Sequence, residues 1–203
     1  MEAYTFTLLI SIFMFSFATS MTPGPNNLML LSSGLTFGYK RTIPHITGVI
    51  VGFPLMTICV GLGLGNFFKL YPIAFSILKV AGILYLLWLA WKIAHSTPKA
   101  KVQDENAQPL KFFPILLFQW LNPKNWIKII TAMSVYVTSV DDALTQIIVI
   151  SIIFLMTVII SSNSWALGGV VLNKFIKSYV GVRRFNVIMA ILLVASIIPT
   201  IIP

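Results

Sequence analysis

Long apolar runs recur along this chain, and none of its five acids stands inside one of them. The runs cover about 3–39, 45–67, 71–93, 112–138, 144–171 and 185–202, while the acids are Glu2, Asp104, Glu105, Asp141 and Asp142. A run of about twenty apolar residues spans the hydrocarbon core of a bilayer as a helix. Inside that core, only a structure that satisfies its own backbone hydrogen bonds survives. Charged residues make up 9% of the 203, against about 25% in a soluble domain. So few charges cannot cover a water-soluble globule of this size. The sequence therefore predicts an all-α integral membrane protein with six transmembrane helices.

The net charge of +9 does not make the chain a nucleic-acid binder. Such proteins gather Lys and Arg on one face, whereas here the cations sit between apolar runs. Their distribution speaks instead to topology. Alternating the loops puts Lys40, Arg41, Lys92, Lys99, Lys101, Lys111, Lys174, Lys177, Arg183 and Arg184 on one side and only Lys69 on the other. The positive-inside rule makes the first side cytoplasmic, with both termini outside. The first twenty residues carry Glu2 and no Lys or Arg, which argues against a cleaved signal peptide.

The first run is too long to be one straight span. At 1.5 Å per residue, 3–39 would reach about 55 Å against a core of about 30 Å. Thr22-Pro23-Gly24-Pro25-Asn26-Asn27 interrupts it, and two prolines cannot continue a helix unbroken. Pro25 suits the first turn of a restarting helix, whose free N–H groups would favour a carboxylate. Asn122-Pro123-Lys124-Asn125 interrupts the fourth run in the same way. Pro23 and Pro123 each head one half of the chain. Three spans per half, with the first Pro-broken, predict two inverted three-helix repeats, 1–97 and 112–203, joined by a polar cytoplasmic loop at 98–111. Paired broken helices at the midplane mark many secondary transporters.

Three cations fall within spans. An intramembrane cation is costly and reads as functional, so Lys124, beside the second break, and Lys79, in the third span, are candidates to hold an anionic group. Lys128 reads as a lysine whose head reaches out to the headgroups, and its replacement is expected to matter less than that of Lys124. His45 is the group near the pathway that titrates around neutral pH. Lys79, Lys124 and His45 are thus the proton-coupling candidates. Gly34/Gly38 and Gly48/Gly52 permit close helix approach, within the fold or in a homo-oligomer. Ser161-Ser162-Asn163-Ser164-Trp165 either bonds between helices or lines the pathway.

Other chemistries find no residues. A lone Cys59 gives no disulfide within the chain and no Cys-pair metal site. There is no metal-ligand constellation, no Walker A motif and no Gly-x-Ser-x-Gly, so neither an enzyme nor a bound cofactor is expected. The expected partners are a small-molecule substrate and the lipid bilayer, with no nucleic acid.

Met21-Thr22-Pro23-Gly24-Pro25-Asn26-Asn27-Leu28, with Ser32-Ser33-Gly34 and Phe37-Gly38, resembles the LysE superfamily of amino-acid exporters in its RhtB branch. Leu78-Lys79, Gly82, Tyr85-Leu86, Trp91-Lys92 and Asn122-Pro123-Lys124 extend the likeness over the whole chain. The resemblance implies efflux of small amino acids of the homoserine, threonine, cysteine or O-acetylserine type from a bacterial cytoplasm, driven by a proton or ion gradient. Many relatives carry Asp where this chain has Asn26, so a carboxylate proton carrier is missing there. The superfamily's dithiol carriers need paired cysteines, which excludes that activity.

The sequence thus predicts a midplane cavity where the breaks meet. Its substrate-binding candidates are Thr22, Pro23, Gly24, Pro25, Asn26, Asn27, Lys79, Asn122, Pro123 and Lys124. With no acid in a span, neutral zwitterions are favoured over dibasic amino acids. Two other classes stay open: an uncoupled channel or facilitator, and a membrane scaffold.

Overall fold

The computed structural model describes residues 5–64, 70–96, 108–138, 141–176 and 178–195; of Leu64, Pro72, Phe75 and Lys79 it describes only the backbone. Lys69, Gly65, Lys177, the acids Glu2, Asp104 and Glu105, and most of the 98–111 loop lie outside the described residues.

Eight α-helices make up the described fold, with no strand among these residues. They are α1 (Phe6–Met21), α2 (Pro25–Phe37), α3 (Tyr39–Cys59), α4 (Pro72–Ala94), α5 (Phe112–Leu121), α6 (Pro123–Tyr136), α7 (Ala143–Phe175) and α8 (Tyr179–Ala195). A π-helical segment, Val60–Leu64, extends α3 and contains Gly63 at φ +118, a conformation that glycine adopts without steric cost. Arg183 and Arg184, expected ahead of the last span, stand inside α8.

Three stretches are long and apolar enough to cross a membrane alone: Tyr39–Gly63, Ser76–Ala94 and Ala143–Phe175. Helices α1 and α2 meet that test together, bent by 56° at their break. Helix α5 is apolar but only ten residues long. The 33 residues of α7 reach about 50 Å, which demands tilt or extension beyond a 30 Å core.

The surface and the interior have exchanged chemistry. Phe6, Ile10, Met14, Val51, Leu55, Ile77, Leu84, Leu117, Ile148 and Ile152 are exposed, while Ser16, Ser20, Asn27, Gln119, Asn122, Thr157, Ser161 and Asn186 are buried. Exposed apolar surface on this scale marks a membrane-facing exterior. The buried polar groups bond across helices. Ser16 and Thr157 pair between α1 and α7, and Asn186 of α8 accepts from Ser32 at 2.7 Å and donates to Thr36 at 3.0 Å.

Small residues set the tightest packing. Gly34 of α2 lies so close to α7 that a Cβ there would stand 2.0 Å from the Ala166 carbonyl oxygen. Gly169 of α7 meets the Leu31 carbonyl in the same manner, at 2.1 Å. Gly48 and Gly52 bring α3 against α5 at Phe112, Ile115, Leu116 and Gln119. Backbone approach of this kind drives helix association in membranes. Gly38, at φ +78, turns the chain from α2 into α3.

Candidate functional site

The two helix breaks meet. At the first, Thr22 takes an extended conformation before Pro23, Gly24 is extended before Pro25, and α2 restarts at Pro25. At the second, Asn122 alone separates α5 from α6, again extended before a proline. A residue ahead of proline is pushed out of the helical region, which is why the helices break at both predicted places.

Each break exposes helix-end carbonyls, and an asparagine just beyond it satisfies them. Asn27 donates to the Ser20 carbonyl at 2.7 Å and to that of Thr22 at 2.9 Å. Asn125 donates to the Gln119 carbonyl at 3.1 Å and to its side-chain Oε1 at 3.0 Å. The Asn122 side chain caps α6 by accepting from the Lys124 amide at 3.1 Å.

Side chains then tie break to break. The Lys124 ammonium donates to the Thr22 carbonyl at 3.0 Å, to the Thr22 hydroxyl at 2.7 Å and to the Pro23 carbonyl at 3.1 Å. Asn26 and Gln119 exchange a reciprocal amide pair, at 2.8 and 3.2 Å. Gly24 makes room for this junction: a Cβ there would lie 2.9 Å from Lys124 Cδ and Nζ.

Between the breaks lies a small cavity of about 40 Å³. Gly24, Pro25, Asn26, Asn27, Asn122 and Lys124 line it, together with Thr19, Ser20, Val49, Phe53, Asn125, Lys128, Val158, Ser161 and Ser162. That volume holds a water or two and is too small for an amino acid.

Most of the predicted site residues thus come together. Thr22, Pro23 and Pro123 form the breaks without lining the cavity. Lys79 lies on α4, and its side chain is outside the described residues. His45 is fully buried and does not line the cavity. Neither of its ring nitrogens has a hydrogen-bond partner among the described residues. It stands one helical turn before Val49 and two before Phe53, so it shares their face of α3. Of the serine cluster of α7, Ser161 donates to the Ser20 carbonyl at 2.7 Å, a bond between helices, and with Ser162 it lines the cavity.

Lys128 corrects the sequence reading. Instead of reaching the headgroups it is 7% exposed and turned inward. Its ammonium donates to the Ser20 hydroxyl and lies 4.3 Å from the ring centre of Phe53 and 4.8 Å from that of Phe154. The physical reason is its register on α6. Lys128 follows Lys124 by four residues, one helical turn, so both cations face the breaks. Ile127 and Ile130 occupy the outer face. That four-residue spacing is the signal that identifies it. Gln119 was also overlooked, because its role depends on Asn26 in the other half of the chain, and so was Asn125, whose partner is Gln119 six residues away.

Asp141 and Asp142, the acids among the described residues, are exposed at the start of α7. The cavity wall therefore holds two cations, amides and hydroxyls, and no carboxylate among those residues. No group of His, Cys, Asp and Glu there could hold a metal ion.

The chain is 32% identical to the cysteine/O-acetylserine efflux proteins of Escherichia coli and Shigella sonnei, over 93% of its own length and 94% of theirs. No solved structure matches it at a significant level. The LysE type translocator family matches residues 17–196; the chain belongs to that family and is a membrane translocator, not an enzyme.

Proposed function

We propose that this chain is a secondary transporter of the RhtB branch that exports small neutral amino acids or their derivatives from the bacterial cytoplasm across the inner membrane, by antiport with protons. The substrates are of the homoserine, threonine, cysteine or O-acetylserine type. The observation that carries the reading is the meeting of two Pro-made helix breaks around one polar cavity. The efflux activity named for the relatives supports the direction of transport.

The fold behind this reading is six spans in two inverted repeats, 1–97 and 112–203, with the connecting segment 98–111 in the cytoplasm. Supporting it are the two breaks, each headed by a proline and closed by an asparagine just beyond. In transporters of that design, half-helix ends near the midplane hold the charged groups of the substrate. Here the start of α2 after Pro25, at Asn26 and Asn27, and the start of α6 at Asn122 supply donors, with Lys124 and Lys79 as cations. Two lining lysines and no described carboxylate disfavour a dibasic substrate, whose second ammonium would find no counter-charge. Proton coupling falls to Lys79, Lys124 or His45, since Asn26 has no ionisable proton.

The test is gradient-driven efflux from proteoliposomes, preceded by a screen of which toxic amino acids overexpressing cells survive. Uphill efflux of cysteine or O-acetylserine that an uncoupler abolishes is the expected result. Lys79→Gln, Lys124→Gln and His45→Gln then identify the coupling group by which variant keeps binding and loses the gradient response. Downhill efflux indifferent to the uncoupler in the wild-type protein would make it a facilitator.

A further inference from the structure

The two cations that line the cavity are not equivalent. A lysine ammonium carries three N–H donors. Lys124 spends its donors on three oxygens of the first break. Lys128, far more deeply buried, has a single hydrogen-bond acceptor among the described residues, the Ser20 hydroxyl. The rest of its surroundings are the faces of Phe53 and Phe154, themselves packed edge to face at 5.5 Å.

Ring faces attract a cation but accept no conventional hydrogen bond of carbonyl strength. They fix the ammonium in place and leave its remaining donors unused. The neighbouring Ser20 carbonyl cannot take them up, because it already accepts from Asn27 and Ser161. A buried charge is ordinarily paired, because an unpaired one is costly to keep out of water. A span that retains a lysine here is therefore short of one anion. The cavity wall offers none among its described residues.

We propose that Lys128, caged by Phe53 and Phe154, is the group that receives the substrate carboxylate. Lys124 is a positioning residue that holds the two breaks together. This assignment rests on the amino-acid export reading above and adds a specificity to it. The cavity recognises a free carboxylate, and a substrate without one leaves Lys128 unpaired. The order of importance expected from the sequence, Lys124 over Lys128, is reversed for binding.

The experiment uses the full chain in proteoliposomes under reducing conditions, with counterflow of radiolabelled L-cysteine as the readout. The competitors are O-acetyl-L-serine and L-cysteine methyl ester, which keeps the ammonium and thiol and lacks the carboxylate. Wild-type counterflow is expected to be inhibited by O-acetylserine at a concentration at least roughly tenfold below the ester, as loss of one charge-assisted hydrogen bond implies. Lys128→Gln is expected to raise KM by roughly tenfold or more and to narrow the acid-over-ester preference. Lys128→Arg should restore that preference. Equal inhibition of the wild-type protein by acid and ester overturns the assignment even if the Gln variant does not fold. So does Lys128→Gln that folds and keeps both KM and preference within about twofold, a change too small for a lost charged contact. In either case transport of cysteine still stands, and with it the export reading. A wild-type protein that moves neither cysteine nor O-acetylserine, nor any other neutral amino acid, overturns both.

Discussion

The two helix breaks use the same proline chemistry, yet the half-helices behind them are held in different ways. Helix α2 buries ten of its 13 residues, from Pro25 to Thr36, and its backbone touches that of α7 through Gly34 and Gly169. Helix α6 buries five of 14: Asn125, Trp126, Lys128, Ile129 and Ala132. One half-helix is locked in the bundle. The other lies on it with one face, and that face carries both lysines. Like charges one turn apart cost an isolated helix a few tenths of a kcal/mol, so the pair is not there for helix stability. The comparison teaches that α2 is anchored along most of its length, while α6 is anchored along one face and carries both lysines of the cavity wall.

The largest effect that would break this contrast is expected at Gly34. Gly34→Ala places a Cβ where the Ala166 carbonyl oxygen already stands. Because neither backbone can yield without separating α2 from α7, the cost is about 3 kcal/mol or more. Thermal unfolding in detergent should show a large drop in Tm or no folded protein. A Tm within a few degrees of wild type would mean that α2 is no better anchored than α6.

Next in size is Lys124→Ala. It removes the cation bonding Thr22 and Pro23, while the Thr22 carbonyl keeps Asn27. A loss of about 1–3 kcal/mol is expected for hydrogen bonds to a charged group. Export should fall at least about tenfold while the protein still inserts. Normal Tm and normal counterflow together would show that the breaks need no tie.

The smallest effect tests the outer face of α6. Ile127 is 65% exposed, so Ile127→Ala should change stability by less than about 0.5 kcal/mol. A shift like that of Gly34→Ala would reveal a partner on that face and remove the asymmetry between the two half-helices.

Much of this was legible in the residues. Pro23, Pro25 and Pro123 marked the breaks because a ring without an N–H stops a helix in any surroundings. Gly48 and Gly52 announced close packing, and the serines of α7 a polar seam. Lys128 was misread because a lysine near a helix end reaches the headgroups or turns inward according to which face its neighbours occupy. Nothing in its local sequence says that Phe53 and Phe154, from two other helices, will meet there. The apolar run beginning at 45 puts His45 at the end of a span, whereas α3 begins at Tyr39 and carries it into the interior.

The sequence by itself determined that the chain is helical and membrane-bound, where its helices break, and that its spans lack carboxylates. These are properties of composition and of local backbone sterics, and they need no partner. Only the tertiary structure decided which oxygens Lys124 would bond, that Asn26 would face Gln119, and that Lys128 would sit between two rings with donors to spare. Those outcomes depend on contacts between residues 26 to 102 positions apart, and such contacts are set by how glycine-lined helices pack rather than by any residue's own preference.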